Sequence, residues 1–145
     1  TAQIGENRSG VVQFSGSDGG SEALVSPFGA ALLAASVARG EAPLPAIVQG
    51  RSAKVDETVE PLPPQVTDAL RAAMAENVRS GPASFLKGHP GLAGIAAASG
   101  DDRWFYGYTG DLAFAVFVAN ADGGDRAVKM ADMFLRELAK PPTDG

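Results

Sequence analysis

Cysteine is absent from this chain of 145 residues, and histidine occurs only once, as His89. The lack of thiols excludes a disulfide framework and thiol catalysis, and one histidine cannot form a multi-histidine metal site. No window of about 18 apolar residues occurs, so no segment is predicted to span a membrane. We therefore expect no metal and no other cofactor, and a chain without cysteine suits an extracytoplasmic location.

Positive charge is also scarce. The chain has 12 Lys and Arg against 17 Asp and Glu, a net charge of −5 and a pI of about 4.7. The basic residues form no run or stripe, which argues against nucleic acid or an anionic membrane surface as a partner. The composition, 45% hydrophobic and 20% charged, is that of an ordinary globular domain. The chain begins at Thr1 without a Met, which we interpret as a sign of processing or excision.

The sequence predicts one domain or subdomain over 1–145, in three consecutive parts. Residues 1–25 form an irregular, Gly- and Ser-rich entry segment, and 26–90 form a helical part with a Pro-rich connection. Residues 91–140 form a β-meander followed by a C-terminal helix. Short strand candidates outside the meander lie at 11–14, 23–25 and 46–49.

Three helices are predicted from local start and stop signals. Ser26-Pro27 supplies an N-cap and a proline at the first helical position, and Gly40 ends that helix after Arg39. Its apolar residues lie on both faces, which predicts a helix buried all round. The other two helices are predicted at about 64–79 and 126–140.

Three strands are predicted at about 92–98, 103–108 and 112–119, separated by turns at Asp101-Asp102 and Thr109–Asp111. Tight turns between them favour an antiparallel meander. We therefore predict an α+β fold in which a three-stranded antiparallel sheet packs between helices. The third strand is apolar on both faces and is expected deep in a covered sheet, although this chain offers few neighbouring strands. That mismatch suggests a missing partner segment.

Candidates for catalysis are weak. Ser84–Lys87 matches S-x-x-K, in which a helical Lys activates a Ser one turn away, but Gly88 stops any helix there and an ordinary loop is expected. His89 has no carboxylate at an informative spacing, so packing in a turn is expected. Asp101-Asp102 is typical of turn chemistry, and Gly123-Gly124 lacks the rest of a phosphate-binding pattern. No catalytic residue is assigned.

Aromatic residues concentrate on the second strand of the meander. Alternation places Trp104, Tyr106 and Tyr108 on one face and Phe105 on the other. One interpretation is a packing stripe over the small residues of 93–98. The other is an aromatic wall beside a groove at the sheet edge, which makes Trp104, Tyr106 and Tyr108 a candidate binding face.

In their order, the segments resemble the C-terminal half of a penicillin-binding protein transpeptidase domain, above all in the class B, lipoprotein-type enzymes of actinobacteria. The matching segments share the family's order and are Thr1–Asn7 (Ile-Gly-Gln-Gly-type), Val25–Leu32 with AASVARGEAPLPAIV (the Ser/Thr-Pro helix and the N-G-G-x-x-x-x-P-x-L-V segment after it), Arg79–Leu86 (G-T-A-x-x-L), Trp104–Tyr108 (W-F-x-G-Y) and Asp111–Val118. The resemblance covers nearly the whole chain. It implies that this fold is part of a penicillin-binding or β-lactamase-like transpeptidase fold.

The family's Lys-Thr-Gly strand, which binds the carboxylate of the substrate or of a β-lactam, corresponds to Leu92-Ala93-Gly94. Only the glycine is kept, so the resemblance implies a substrate-facing strand with a degenerate motif. The family's S-x-x-K and S-x-N motifs lie upstream of the segment that Thr1 resembles, and Ser84–Lys87 does not replace them. Whether the parent protein is an active enzyme is left open, but this chain alone is predicted to be inactive.

The resemblance implies a part in peptidoglycan assembly, an extracytoplasmic location with membrane association through the parent protein, and an upstream transpeptidase half in the same or a separate chain. A homodimer through an unfinished sheet edge is a further expectation. Two alternatives stay open: a non-catalytic peptide- or protein-binding scaffold that uses the sheet edge and aromatic strand, and an unrelated small enzyme using Ser84, Lys87 or His89.

Overall fold

The computed structural model describes residues 12–15, 22–43 and 60–141, and the strand candidate at 46–49 lies outside them. The elements in chain order are β1 (Val12–Ser15), β2 (Glu22–Val25), α1 (Pro27–Arg39), α2 (Pro64–Arg79), a 3₁₀ turn (Ser84–Leu86), β3 (Ala93–Ser99), β4 (Asp102–Thr109), β5 (Leu112–Val118) and α3 (Arg126–Leu138). The predicted α+β class with a three-stranded antiparallel sheet is confirmed. β1 and β2 form a separate antiparallel pair.

α1 begins and ends where the local signals predict. The Ser26 hydroxyl accepts a 3.0 Å hydrogen bond from the Gly29 N–H, and Gly40 adopts a left-handed φ of 81° at the C-cap. The expectation of a helix buried all round is wrong, because Phe28 and Leu33 are 50% and 43% exposed. The face that packs on β4 and β5 carries small residues instead, which lets the helix approach the sheet closely.

α2 lies along β3 and is joined to α1 by Arg71. The Arg71 guanidinium donates to the carbonyl oxygens of Val37 and Ala38, both at 2.9 Å. These bonds satisfy carbonyls in the last turn of α1, which have no partner within that helix. Met74 and Val78 are buried, so the C-terminal half of α2 packs into the core.

The sheet has the order β3-β4-β5 and lies between helices. On one face a core forms around Phe105 with α3, and on the other Ala34 of α1 and Met74 of α2 meet Ala93. Phe105 is fully buried, and its ring centroid lies 5.7 Å from that of Phe114 on β5. Two helical layers therefore cover both faces of the sheet.

β3 and β4 approach most closely at a pair of glycines. Gly94 lies opposite Gly107, and a Cβ on Gly107 would lie 2.4 Å from the carbonyl oxygen of Ala93. A Cβ on Gly94 would lie 2.5 Å from the end of the Phe105 ring. Gly94 leaves the space that this ring fills, which is how an aromatic side chain stabilises a glycine position in a sheet. Gly107 instead allows the backbones of β3 and β4 to approach closely.

β5 is an edge strand of the described sheet, which corrects the expectation of a deeply embedded third strand. It pairs with β4 from Thr109↔Leu112 to Arg103↔Val118. Within the described ranges, no strand pairs with its other edge. Its faces are covered by α1 and α3, yet Phe117 is 38% exposed.

Candidate functional site

The residues that the resemblance sets at the Lys-Thr-Gly positions lie inside the protein. Leu92 and Ala93 are only 6% and 5% exposed, Leu92 in the core beneath α3 and Ala93 in the core beneath α1. The exposed part of β3 is its other end, at 97–99. In this chain Leu92 and Ala93 contribute apolar packing and present no surface to a ligand.

The outer edge of β3 is occupied by α2. The backbone N–H of Ala96 donates a 3.1 Å hydrogen bond to the Asn77 side-chain oxygen. A peptide that pairs with a sheet edge needs those outward backbone groups. At Ala96 that position is taken by a side chain of the same chain, so a ligand strand cannot add there without displacing α2.

The aromatic residues of β4 alternate as predicted, with Trp104, Tyr106 and Tyr108 on the face opposite Phe105. Tyr106 and Tyr108 pack against the core that contains Met74, and burial raises the pKa of the Tyr106 hydroxyl above its ordinary value of 10.0. The Trp104 ring lies against Phe117 of β5, with centroids 4.4 Å apart. The two tyrosines are therefore largely packing residues, and Trp104 is the member of this face that also borders an opening.

That opening is a groove of about 300 Å³ at the exposed end of β3. Its lining is mostly apolar and includes Pro82, Ala98, Arg103, Trp104 and Val128. The Arg103 guanidinium is held by 2.8 Å hydrogen bonds to two backbone carbonyls of the β3–β4 turn. The groove can accept an apolar side chain, and its lining carries both the Arg103 guanidinium and the Asp125 carboxylate. The described residues that line it include no Ser, Cys or His nucleophile.

A second cavity of about 390 Å³ lies between the end of α1 and the β4–β5 turn. Its lining includes Ala35, Arg39, Tyr108 and Asp111. Arg39 is already paired with Glu41 at 2.9 Å, and both side chains are more than half exposed. An ion pair this exposed is screened by solvent, so the cavity holds no concentrated charge.

Sequence reasoning missed a hydrogen-bonded cluster of His89, Asp132 and Arg136, in which the Asp132 side chain is 11% exposed. His89 Nε2 lies 2.7 Å from Asp132 Oδ1, and Asp132 Oδ2 accepts a 2.7 Å hydrogen bond from Arg136 Nε. The hydrogen bond from His89, with that from Arg136, holds the pKa of the Asp132 carboxyl below its ordinary value of 3.8. The available signal was Asp132 itself, a carboxylate on the buried stripe of α3 between Ala131 and Leu135.

The contact between His89 and Asp132 links two parts of the chain. It joins the loop before β3 to α3, across 43 residues of sequence. A hydrolytic triad needs a hydroxyl within hydrogen-bond reach of the histidine, and in the part of the chain that the structure describes none is bonded to His89. Ser84 and Lys87 are joined only by a 3.2 Å backbone bond in a 3₁₀ turn.

The remaining candidates belong to turns. The Asp102 carboxylate accepts a 3.0 Å hydrogen bond from the Asn120 N–H, and the Ala121 N–H donates to the Asp101 carbonyl at 2.8 Å. Gly123 and Gly124 adopt left-handed φ values of 81° and 80° in the loop before α3. Among the residues with described positions, no three His, Asp or Glu side chains group as metal ligands.

Comparison with known proteins gives no match to a protein-family profile, to a curated protein or to a solved structure. Across the described ranges, no helix has both the length and the apolar character needed to cross a membrane.

Proposed function

We propose that this chain is the C-terminal subdomain of a penicillin-binding-protein-like D,D-transpeptidase that takes part in peptidoglycan assembly. The observation that carries the proposal is the order of segments, from a Ser-Pro-capped helix to a glycine-paired hairpin bearing Trp104–Tyr108 and a closing helix. A sheet packed between helices is compatible with it. By the same resemblance, the parent protein is extracytoplasmic and membrane-associated, and an upstream half supplies the serine nucleophile.

In this proposal the chain is non-catalytic by itself. Leu92 and Ala93 stand at the positions of the family's Lys and Thr and offer no donor to a carboxylate. Each charge-assisted hydrogen bond lost in this way is worth about 1.5–3 kcal/mol. Their burial supports a strand that is now used for packing.

The test is covalent labelling with a fluorescent penicillin. The 145-residue chain alone should give no adduct, and the chain joined to its upstream coding segment should be labelled only if that segment carries S-x-x-K and S-x-N. An adduct on the isolated chain would contradict the absence of a nucleophile. An upstream reading frame without either motif would remove the proposed parentage.

A second candidate function is a peptide- or protein-binding scaffold, and the apolar groove at the exposed end of β3, next to the aromatic strand β4, favours it. A pulldown with Trp104→Ala, which changes the exposed end of the aromatic strand, should lose a partner that the unmutated chain retains. Phe85→Ala is a matched control, because Phe85 is 54% exposed and does not line the groove. Circular dichroism of each variant separates lost binding from lost folding, and equal capture by all variants would contradict this function.

A further inference from the structure

Among the described residues, no strand or loop pairs with the outer edge of β5. β5 reads Leu-Ala-Phe-Ala-Val-Phe-Val, with no charge, no proline and no residue that would deter pairing. Proteins normally protect exposed edge strands with Lys, Pro, bulges or covering segments. On the opposite side of the sheet, α2 and Asn77 provide such a cover for β3.

The backbone groups that face outward from β5 follow from the register. Because the Ala96 N–H points away from β4 to Asn77, Ala96 and Phe105 form a non-hydrogen-bonded pair. Phe105 therefore exchanges its backbone bonds with Val116, and alternation turns the N–H and C=O groups of Ala115 and Phe117 outward, together with those of Ala113. Within the described residues, none of these three N–H groups donates to a partner outside the sheet.

We propose that this edge pairs with the same edge of a second copy, giving a two-fold symmetric dimer with a continuous six-stranded sheet. A register centred on Ala115 would place Ala113 opposite Phe117 of the second copy and form about six backbone hydrogen bonds. In that register Asp111 of one chain lies opposite Ala119 of the other. Two uncharged strands incur no like-charge repulsion on pairing, so the strand itself does not oppose self-association.

The assembly should stop at a dimer, because only one edge of the described three-stranded sheet is open to pairing. A head-to-tail assembly would need two different open edges, whereas the α2 cover leaves only β5 among the described strands of this sheet. An interface in which the same patch meets itself closes as a dimer. The apolar surface also extends beyond the strand, because Phe134 is 41% exposed and its ring centroid lies 5.1 Å from that of Phe114.

The test is the mass of the 145-residue chain in solution, measured by sedimentation over a wide range of concentration. A species of twice the 14.8 kDa chain mass is expected. Ala115→Pro should give the monomer with unchanged circular dichroism, since it deletes an outward N–H that the β4–β5 ladder does not use. Ala115→Val, which keeps that N–H, is the matched control and should remain a dimer.

Phe117→Lys is a second variant, which places a charge at the edge and should also give the monomer if Ala115→Pro fails to fold. A wild-type chain that is monomeric at every concentration would overturn the proposal. Folded variants that stay dimeric, or a wild type that grows beyond a dimer, would overturn it as well. The proposal concerns this chain alone and does not depend on penicillin reactivity.

Discussion

Gly107→Ala should strongly destabilise the protein, although it adds a single methyl group. A Cβ at this position would lie 2.4 Å from the Ala93 carbonyl oxygen and 2.8 Å from the Gly94 Cα. Carbon–oxygen contacts between strands are normally about 3.3–3.6 Å, so β3 and β4 would have to separate by about 1 Å. Both opposing atoms belong to the backbone, so no rotamer change can relieve the clash.

Overpacking of this kind costs about 1–3 kcal/mol, and a clash between backbones belongs near the upper end of that range. For a chain of this length, about 3 kcal/mol corresponds to a fall of about 10 °C in Tm. Thermal unfolding followed by circular dichroism measures it.

Gly88→Ala is the matched control. No atom lies within 4 Å of a Cβ at Gly88, and its φ is not left-handed. The same methyl group should there be neutral or stabilise by about 0.4–1 kcal/mol, because alanine restricts the unfolded chain. Equal melting temperatures for Gly107→Ala and Gly88→Ala would refute the close approach of β3 and β4.

Two further predictions concern the Asp132 carboxylate and the buried position of Leu92. The pKa of Asp132 in the folded protein is held below its ordinary value of 3.8. The ionised carboxylate should therefore stabilise the folded protein fully above pH 3.8, and this stabilisation should be lost as the pH falls through the lower, folded-state pKa. Asp132→Asn should therefore be less stable than wild type by about 1.5–3 kcal/mol at pH 5, with the difference shrinking below about pH 4. Urea unfolding at each pH measures both Asp132→Asn and a control, Asp125→Asn. Asp125 is the N-cap residue of α3 and its side chain is 48% exposed in its pair with Lys129, so its variant should show a much smaller difference. A pH-independent gap for Asp132→Asn would contradict the assignment. Leu92→Lys should lower the unfolding free energy by several kcal/mol, because it places an ammonium where only 6% of the residue is exposed. Unchanged stability would mean that position 92 is not in the core.

The elements of this fold were largely predictable because their signals are local. Ser26 and Gly40 mark the ends of α1 through contacts within four residues, and the turns at Gly100 and Gly110 need the positive φ values that glycine supplies. Alternation likewise placed Trp104 and Phe105 on opposite faces of β4. Caps, turns and strand alternation depend on residues close together in the sequence, so they can be predicted without knowledge of tertiary contacts.

Burial was less predictable, because it depends on which elements meet. The apolar residues of α1 suggested a helix enclosed on all sides, yet the structure uses its small residues against the sheet and leaves Phe28 and Leu33 half exposed. In α3, the buried stripe includes Asp132 and leaves Leu138 56% exposed. The periodicity of apolar residues predicts which side of a helix is buried. How many residues on that side are buried depends on how the sheet packs against the helix.

The features of the candidate site also fall into those predictable from local sequence and those set by tertiary packing. The sequence by itself determined the α+β class, the helix limits, the meander and the apolar character of Leu92 and Ala93, since each depends on residue type and spacing along a few turns or one strand. Only the tertiary structure joined His89 to Asp132 across 43 residues, closed the β3 edge with Asn77 and left β5 at the other edge. These outcomes depend on distances between segments that are remote in sequence, and such distances are set by packing rather than by any local pattern.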